Sequence, residues 1–338
     1  MLNEEDFEYA IDKGLIDSET KELIEEYNER LIDNNVPVIY NLRHLRKILD
    51  IKKNEQKLFW GKDRQDSYKT FKISKKSGGF REIEAPLDKL KTIQRWIKDN
   101  ILDSFKVSEF AKGFVKNRSI YDNALPHVNK ELVINLDLKD FFPTITYSDV
   151  FKIFKYIGYT TEVSHLLTQL CTNGKNKLPQ GSPASPALSN LVCLKLDKRL
   201  SKLAEKNNFT YTRYADDITF SGAKVIKYSL PMIYKIIAEE HFIVNEKKTR
   251  LHYNFQRQEV TGLIVNKKVS ITKKLRKELE NAIYYCKKYG VISHMEKIGC
   301  NRSFYKEHLY GIAYFVKMIS PEEGQGYLNK LDQINWLY

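Results

Sequence analysis

Three aspartates are the residues whose types and spacing could do chemistry: Asp137, and the adjacent pair Asp216 and Asp217. Asp137 closes the run ELVINLDL (131–138). Strict alternation there predicts a strand with Leu132, Ile134, Leu136 and Leu138 on one face and Val133, Asn135 and Asp137 on the other. FTYTRY and ITFSG flank the pair, predicting a hairpin with Ala215, Asp216 and Asp217 at its tip. Neighbouring strand residues point to opposite faces, so a turn is needed before both carboxylates can serve one site. Unpaired carboxylates side by side repel, and one tends to protonate. Divalent cations relieve that conflict, and hard oxygen ligands suit Mg²⁺. Three carboxylates on two adjacent strand ends are the equipment for two metal ions about 3.5–4 Å apart, which activate an attacking hydroxyl and stabilise a leaving oxygen. A DD pair alone reads as readily as an acidic turn.

The positioning elements come next. Residues 1–60 read as helical, with Leu23, Ile24, Tyr27 and Leu31 as an apolar stripe broken at Asn34-Asn35-Val36-Pro37. Residues 66–85 read as a hairpin turning at Gly78-Gly79, and 88–104 as an amphipathic helix. Helices are expected over 148–172, over 184–206 after the turn LPQGSPASP, and over 228–242. A strand pair near 251–271 and a mostly helical tail over 272–338 complete the reading.

Charge narrows the partners. The 338 residues carry a net +13, but residues 1–35 hold twelve acids and three bases, so the remaining 303 carry +22. A basic body with 21 Tyr and 17 Phe suits a phosphate backbone and stacked bases, although a solvated lysine-rich surface reads the same way. No run of 18 apolar residues exists, and the acidic start MLNEEDFEYA is not a signal peptide. Cys171, Cys193, Cys286 and Cys300 form no CxxC pair and read as reduced thiols of a cytoplasmic protein.

Longer strings decide between the readings. NLDLKDFFP (135–143), LPQGSPASP (178–186) and YADDITFSG (214–222), in this order, resemble the palm motifs of reverse transcriptases. FREIEAP (80–86) resembles the fingers motif before them, and the resemblance covers roughly 68–320. It implies an α+β right-hand polymerase: an acidic helical extension (1–60), fingers (61–130), a palm whose antiparallel sheet is backed by helices (131–254, with fingers-type helices inserted near 148–177), and a helical thumb with the RNA-recognition region (255–338). It implies that Asp137, Asp216 and Asp217 are catalytic and hold two Mg²⁺ ions, with Mn²⁺ able to substitute. Phe142 would form the floor under the incoming sugar. Gln180 and Gly181 would pack against nucleotide and template. Arg81 and Lys75 would grip the triphosphate, with Lys76 as alternative to Lys75. Lys248 would protonate the leaving pyrophosphate, with Lys247 competing for the role.

NALPH (123–127) and VTG (260–262) are similar to hallmarks of bacterial retron reverse transcriptases. That resemblance implies copying of a cognate structured non-coding RNA into DNA from deoxynucleoside triphosphates, primed by an RNA 2′-hydroxyl. The product would be a branched RNA–DNA hybrid, made in anti-phage defence beside an effector protein of the same locus, with no membrane involved. RNA contacts are expected from Asn123, His127, Val260, Thr261 and Gly262, and from Lys273, Lys274, Arg276 and Lys277, in a basic segment that also holds Lys267, Lys268, Lys287 and Lys288 with Tyr284, Tyr285 and Tyr289 interleaved. The acidic start suits a basic protein surface, or folding back on the basic body, and is expected to serve a protein contact. Alternatives are a reverse transcriptase of intron or abortive-infection type, a catalytically silent RNA-binding relative, and, more remotely, a nuclease.

Overall fold

The acidic start of the chain folds because its apolar residues recur at helical spacing and its helix ends are capped. In the computed structural model, which describes residues 8, 10, 12–15, 17–53, 55, 62–74 and 78–336, α1 (Ser18–Asp33) begins at Asp17, whose side chain accepts the Thr20 N–H at 2.8 Å. Tyr27 and Leu31 are buried, and the Tyr27 hydroxyl donates to the Ile39 carbonyl at 2.6 Å. Leu23 turns outward at 60% exposure, so the apolar stripe is narrower than expected. A second helix, α2 (Leu42–Ile48), is capped by Asn41 and buries Leu45. Asn34 donates to the Ile157 carbonyl at 3.0 Å, and Tyr159 to the Pro37 carbonyl at 2.9 Å. From Ser18 onward, then, the acidic segment is built into its surroundings and is not a detachable leader.

The chain divides into two compact units, each assembled from separated stretches. The first comprises Met1–Val115, Leu138–Arg199 and Ile236–Ile243; the second comprises Lys116–Asp137, Leu200–Lys235 and Val244–Tyr338. These boundaries do not follow consecutive segments: residues 116–130 fall in the second unit, and 138–199 in the first.

In the first unit, β1 (Tyr68–Ser74) and β2 (Phe80–Pro86) form the expected antiparallel hairpin. Its base is anchored: Glu84 is buried and accepts from Gln65 Nε2 at 3.0 Å and Asn173 Nδ2 at 2.7 Å. Its far end is exposed. Helix α3 (Asp88–Asn100) buries Leu90, Ile93, Gln94 and Ile97. The stretch expected as one helix over 148–172 is two, α4 (Tyr147–Ile157) and α5 (Thr161–Cys171), capped by Thr146 and Thr160. The helix expected over 184–206 likewise breaks at Cys193 into α6 (Ser185–Val192) and α7 (Leu194–Lys206). Apolar periodicity runs through both breaks, so it reports the buried face but not the interruption.

The second unit holds a four-stranded antiparallel sheet in the order β4 (Thr210–Tyr214), β5 (Asp217–Gly222), β3 (Leu132–Asp137), β6 (Arg250–Tyr253). Helix α8 (Leu230–Glu239) lies between β5 and β6 in sequence. Both faces of β3 are covered, since Leu132, Val133, Ile134 and Leu136 are all 1% exposed or less. Instead of one strand pair near 251–271, β6 joins the main sheet, and β7 (Glu259–Val260) with β8 (Leu263–Ile264) forms a separate hairpin. Four helices follow: α9 (Lys273–Tyr289), α10 (Val291–Lys297), α11 (Tyr305–Ile319) and α12 (Pro321–Leu331). Their core includes Leu279, Ile283, Leu309, Val316 and Leu331 together with Val133 of β3 and Val260 of β7. A Cβ on Gly324 would stand 2.2 Å from Lys317 Cα, so only glycine lets α12 approach α11 this closely. The fold is α+β, with every strand pairing among the described residues antiparallel.

Candidate active site

The register of the sheet brings two of the three aspartates together. β3 and β5 run antiparallel from Leu132↔Gly222 to Asp137↔Asp217, so these carboxylates come from directly paired residues at the last rung of the ladder. Tyr214 pairs with Asp217 across the next strand, leaving Ala215 and Asp216 as a two-residue turn. Ala215 takes φ +57°, a left-handed conformation usually given to glycine in such turns. Its carbonyl accepts from Arg213 Nη1 at 3.1 Å, and Arg213 is completely buried. A guanidinium inside the hairpin therefore helps fix the turn that presents Asp216 and Asp217.

The electrostatics fit a cation-binding site. Asp217 is exposed at the start of β5, yet its carboxyl is partly desolvated by the protein around it. That partial desolvation, followed by the Asp216 and Asp137 charges, pushes its pKa up to about 6, against a smaller opposing pull from Lys248. Asp137 is held on both oxygens: Asn245 Nδ2 donates to Oδ1 at 3.2 Å and Lys248 Nζ to Oδ2 at 2.8 Å. Among the described residues no three His, Cys, Asp or Glu side chains converge as a ready-made metal cage. The donor set still suits hard divalent cations, because three carboxylates interact and Lys248 only partly offsets their repulsion.

The other expected residues separate into groups. Lys75, with its alternative Lys76, lies outside the described residues. Arg81 is exposed on β2, paired with Ile73. Gln180 meets the same strand, its carbonyl accepting the Glu84 N–H at 2.9 Å. Gly181 has φ +131°, and a Cβ there would stand 3.0 Å from the Glu84 carbonyl oxygen, so the backbone approach excludes a larger residue. Phe142 is half-buried against Phe141 and Phe114, with ring centroids at 5.3 and 6.0 Å.

The residues expected to contact RNA divide by burial. Asn123 and His127 are fully buried. His127 spans two strands, with Nδ1 2.6 Å from Ser221 Oγ on β5 and Nε2 2.8 Å from Thr212 Oγ1 on β4. Asn123 donates to Thr261 Oγ1 at 3.4 Å, so the 123–127 and 260–262 strings meet each other. Val260 is core, while Thr261 (φ +45°) and Gly262 (φ +83°) form the two-residue turn between β7 and β8. Arg276 is engaged in a forked pair with Glu323 at 2.6 and 3.2 Å, joining α9 to α12. Asn123, His127 and Arg276 thus meet partners inside the second unit, while Gly262 is exposed at the turn. Lys273, Lys274 and Lys277 are exposed, as are Tyr284 and Tyr289, and Lys288 sits over both of those rings. Sequence reading missed Arg213 and Asn245. The only signal for Asn245 was its place three residues before Lys248.

Comparison with known proteins gives the family. The family model described as reverse transcriptase (RNA-dependent DNA polymerase) matches residues 73–298. The retron Ec86 reverse transcriptase of Escherichia coli is 35% identical over 314 residues, 90% of this chain and 93% of that protein. The retron Mx65 reverse transcriptase of Myxococcus xanthus is 36% identical over 283 residues, 78% of this chain but only 64% of that longer protein. Among solved structures, a Candida albicans telomerase in complex with a fragment of telomeric RNA aligns with TM-score 0.44 and 12% identity, over 79% of this chain and 63% of that one. No helix among the described residues is long and apolar enough to cross a membrane. The chain belongs to the retron reverse transcriptases and is an RNA-directed DNA polymerase, a nucleotidyltransferase that acts on an RNA template and nucleotide substrates.

Proposed function

We propose that this polymerase copies part of its own cognate structured RNA, starting from a 2′-hydroxyl of that RNA, and so makes a branched RNA–DNA hybrid. The observation that carries the reading is the last rung of the sheet, where Asp137 and Asp217 face each other beside the Asp216 turn, in a chain 35% identical to a retron enzyme over 93% of that enzyme's length. Asp137, Asp216 and Asp217 would hold two Mg²⁺ ions, which supply activation of the attacking hydroxyl and neutralisation of the leaving pyrophosphate. In the same reading, Phe142 selects deoxyribose, Gln180 and Gly181 shape the nucleotide and template surface, and Arg81 binds the triphosphate. Lys248 is the proton donor to the leaving group.

The β1–β2 hairpin and the helices of the first unit are then fingers, the four-stranded sheet is palm, and α9–α12 are thumb. The exposed face of α9, with Lys273, Lys274 and Lys277 toward one end and Tyr284, Lys288 and Tyr289 toward the other, grips a stem-loop of the RNA. Phosphate contacts dominate there and stacking adds to them. The enzyme works in the cytoplasm with an effector protein from its own locus, in defence against phage. Sequencing the nucleic acid that copurifies with the protein, before and after treatment with a 2′–5′ debranching enzyme, tests the central point. One DNA species joined to one internal RNA nucleotide is expected; linear DNA with an ordinary primer terminus would overturn the priming reading.

A further inference from the structure

Asn245 reaches Asp137 twice. Its backbone N–H donates to the Asp137 carbonyl at 2.7 Å, and its side-chain amide donates to Oδ1 at 3.2 Å. Lys248 takes the other oxygen, Oδ2, at 2.8 Å. Both arms come from one short turn, since Glu246–Lys248 is a 3₁₀ helix and the Lys248 N–H donates to the Asn245 carbonyl at 2.9 Å. Residues three apart on such a helix share a face, which sends both side chains to one carboxylate. The Asn245 side chain makes no capping bond to that helix, and its NH2 group donates to Asp137.

The two arms differ in kind. The Asn245 amide is neutral, on a short stem, and tied by its own backbone bond to the same residue. The Lys248 ammonium is charged and sits on a flexible stem, with its side chain 48% exposed against 13% for Asp137. A cation arriving at Asp137 competes with the ammonium for one oxygen and repels it, whereas the amide offers no charge to repel.

We infer that Asn245 is a positioning residue for Asp137, and that the clamp has one fixed arm, the Asn245 amide on Oδ1, and one exchangeable arm, the Lys248 ammonium that yields Oδ2 to a divalent cation. The inference rests on the reading of Asp137 as a metal ligand. Its consequence is an order of events: the Lys248 ammonium becomes available to an incoming anionic group once the cation is in place.

The test is Mn²⁺ binding to the full-length protein without nucleotide or nucleic acid, followed by electron paramagnetic resonance of the free ion. Lys248→Met removes the competing charge of a partly exposed pair and should tighten Mn²⁺ about two- to fivefold. Asn245→Ala should weaken it at least threefold with an unchanged melting temperature. Asn245→Ser, which stays polar but falls short of Oδ1, should weaken it similarly if the alanine variant folds poorly. Unchanged or weaker Mn²⁺ binding by Lys248→Met overturns the exchangeable arm. Wild-type affinity in a folded Asn245 variant overturns the positioning role. Asp137→Asn is the control for the underlying reading: if it binds Mn²⁺ as the wild type does, Asp137 is not a ligand, a failure distinct from a clamp that does not respond.

Discussion

His127 is the residue for which an RNA contact and a structural role predict opposite results. Its ring is fully buried and bridges β4 and β5 through Thr212 and Ser221 at 2.8 and 2.6 Å. His127→Ala removes these two hydrogen bonds, leaves two buried hydroxyls without that partner, and opens a cavity the size of an imidazole. Each lost bond costs about 1 kcal/mol, and incomplete collapse around the cavity adds a comparable amount, for a total of about 3 kcal/mol. For a unit of this size that corresponds to a melting temperature lower by roughly 6–12 °C. Thermal unfolding by circular dichroism reads this directly. Filter binding of the copurifying RNA, done well below the lowered transition, should give an affinity within about twofold of wild type, because no buried atom can touch RNA. An unchanged melting temperature with strongly weakened RNA binding would refute the structural argument and restore the contact role.

Four further outcomes are expected. Asp217→Asn should abolish primer extension in Mg²⁺. Because its pKa is raised from 3.8 to about 6, the folded state disfavours the ionised carboxylate, and that cost grows as pH rises from about 4 to 6. In EDTA at pH 7.5 the Asn variant should therefore be the more stable by about 1 kcal/mol after allowance for water screening, with no gain at pH 4, as checked by thermal melts. Phe142→Ala should raise ribonucleotide incorporation relative to deoxyribonucleotide in single-nucleotide extension assays, and an unchanged ratio would make the ring a packing residue against Phe114 and Phe141. Replacing Lys273, Lys274 and Lys277 by alanine should weaken RNA binding and reduce the slope of log affinity against log salt by about 1 for each phosphate no longer neutralised, measured between about 50 and 200 mM salt. Deleting residues 1–35 should lower thermal stability and not merely release a protein partner, because it strips buried Tyr27 and Leu31 from the first unit.

The three candidate carboxylates, the order of the polymerase strings and the existence of both hairpins were legible in the amino-acid sequence. They depend on local facts: period-two alternation around Asp137, turn residues around Gly78-Gly79, and short strings whose residue types are dictated by chemistry. What the sequence could not decide was which polar residues face inward. Asn123, His127 and Arg276 look like recognition residues in one dimension, and an asparagine, a histidine or an arginine reads the same whether it meets solvent or a partner far along the chain. Only the fold puts His127 beside Thr212 and Ser221, Arg276 beside Glu323, and Asn245 beside Asp137. Those partners are separated by 47 to 108 residues, and no periodicity carries information over that distance. The two helix breaks escaped for the complementary reason, since apolar spacing records burial continuously while a break is set by a few cap bonds. Asp137 and Asp217 could be named from the strings alone, but their meeting at one rung is a property of strand register, which the packing of β3 between β5 and β6 determines.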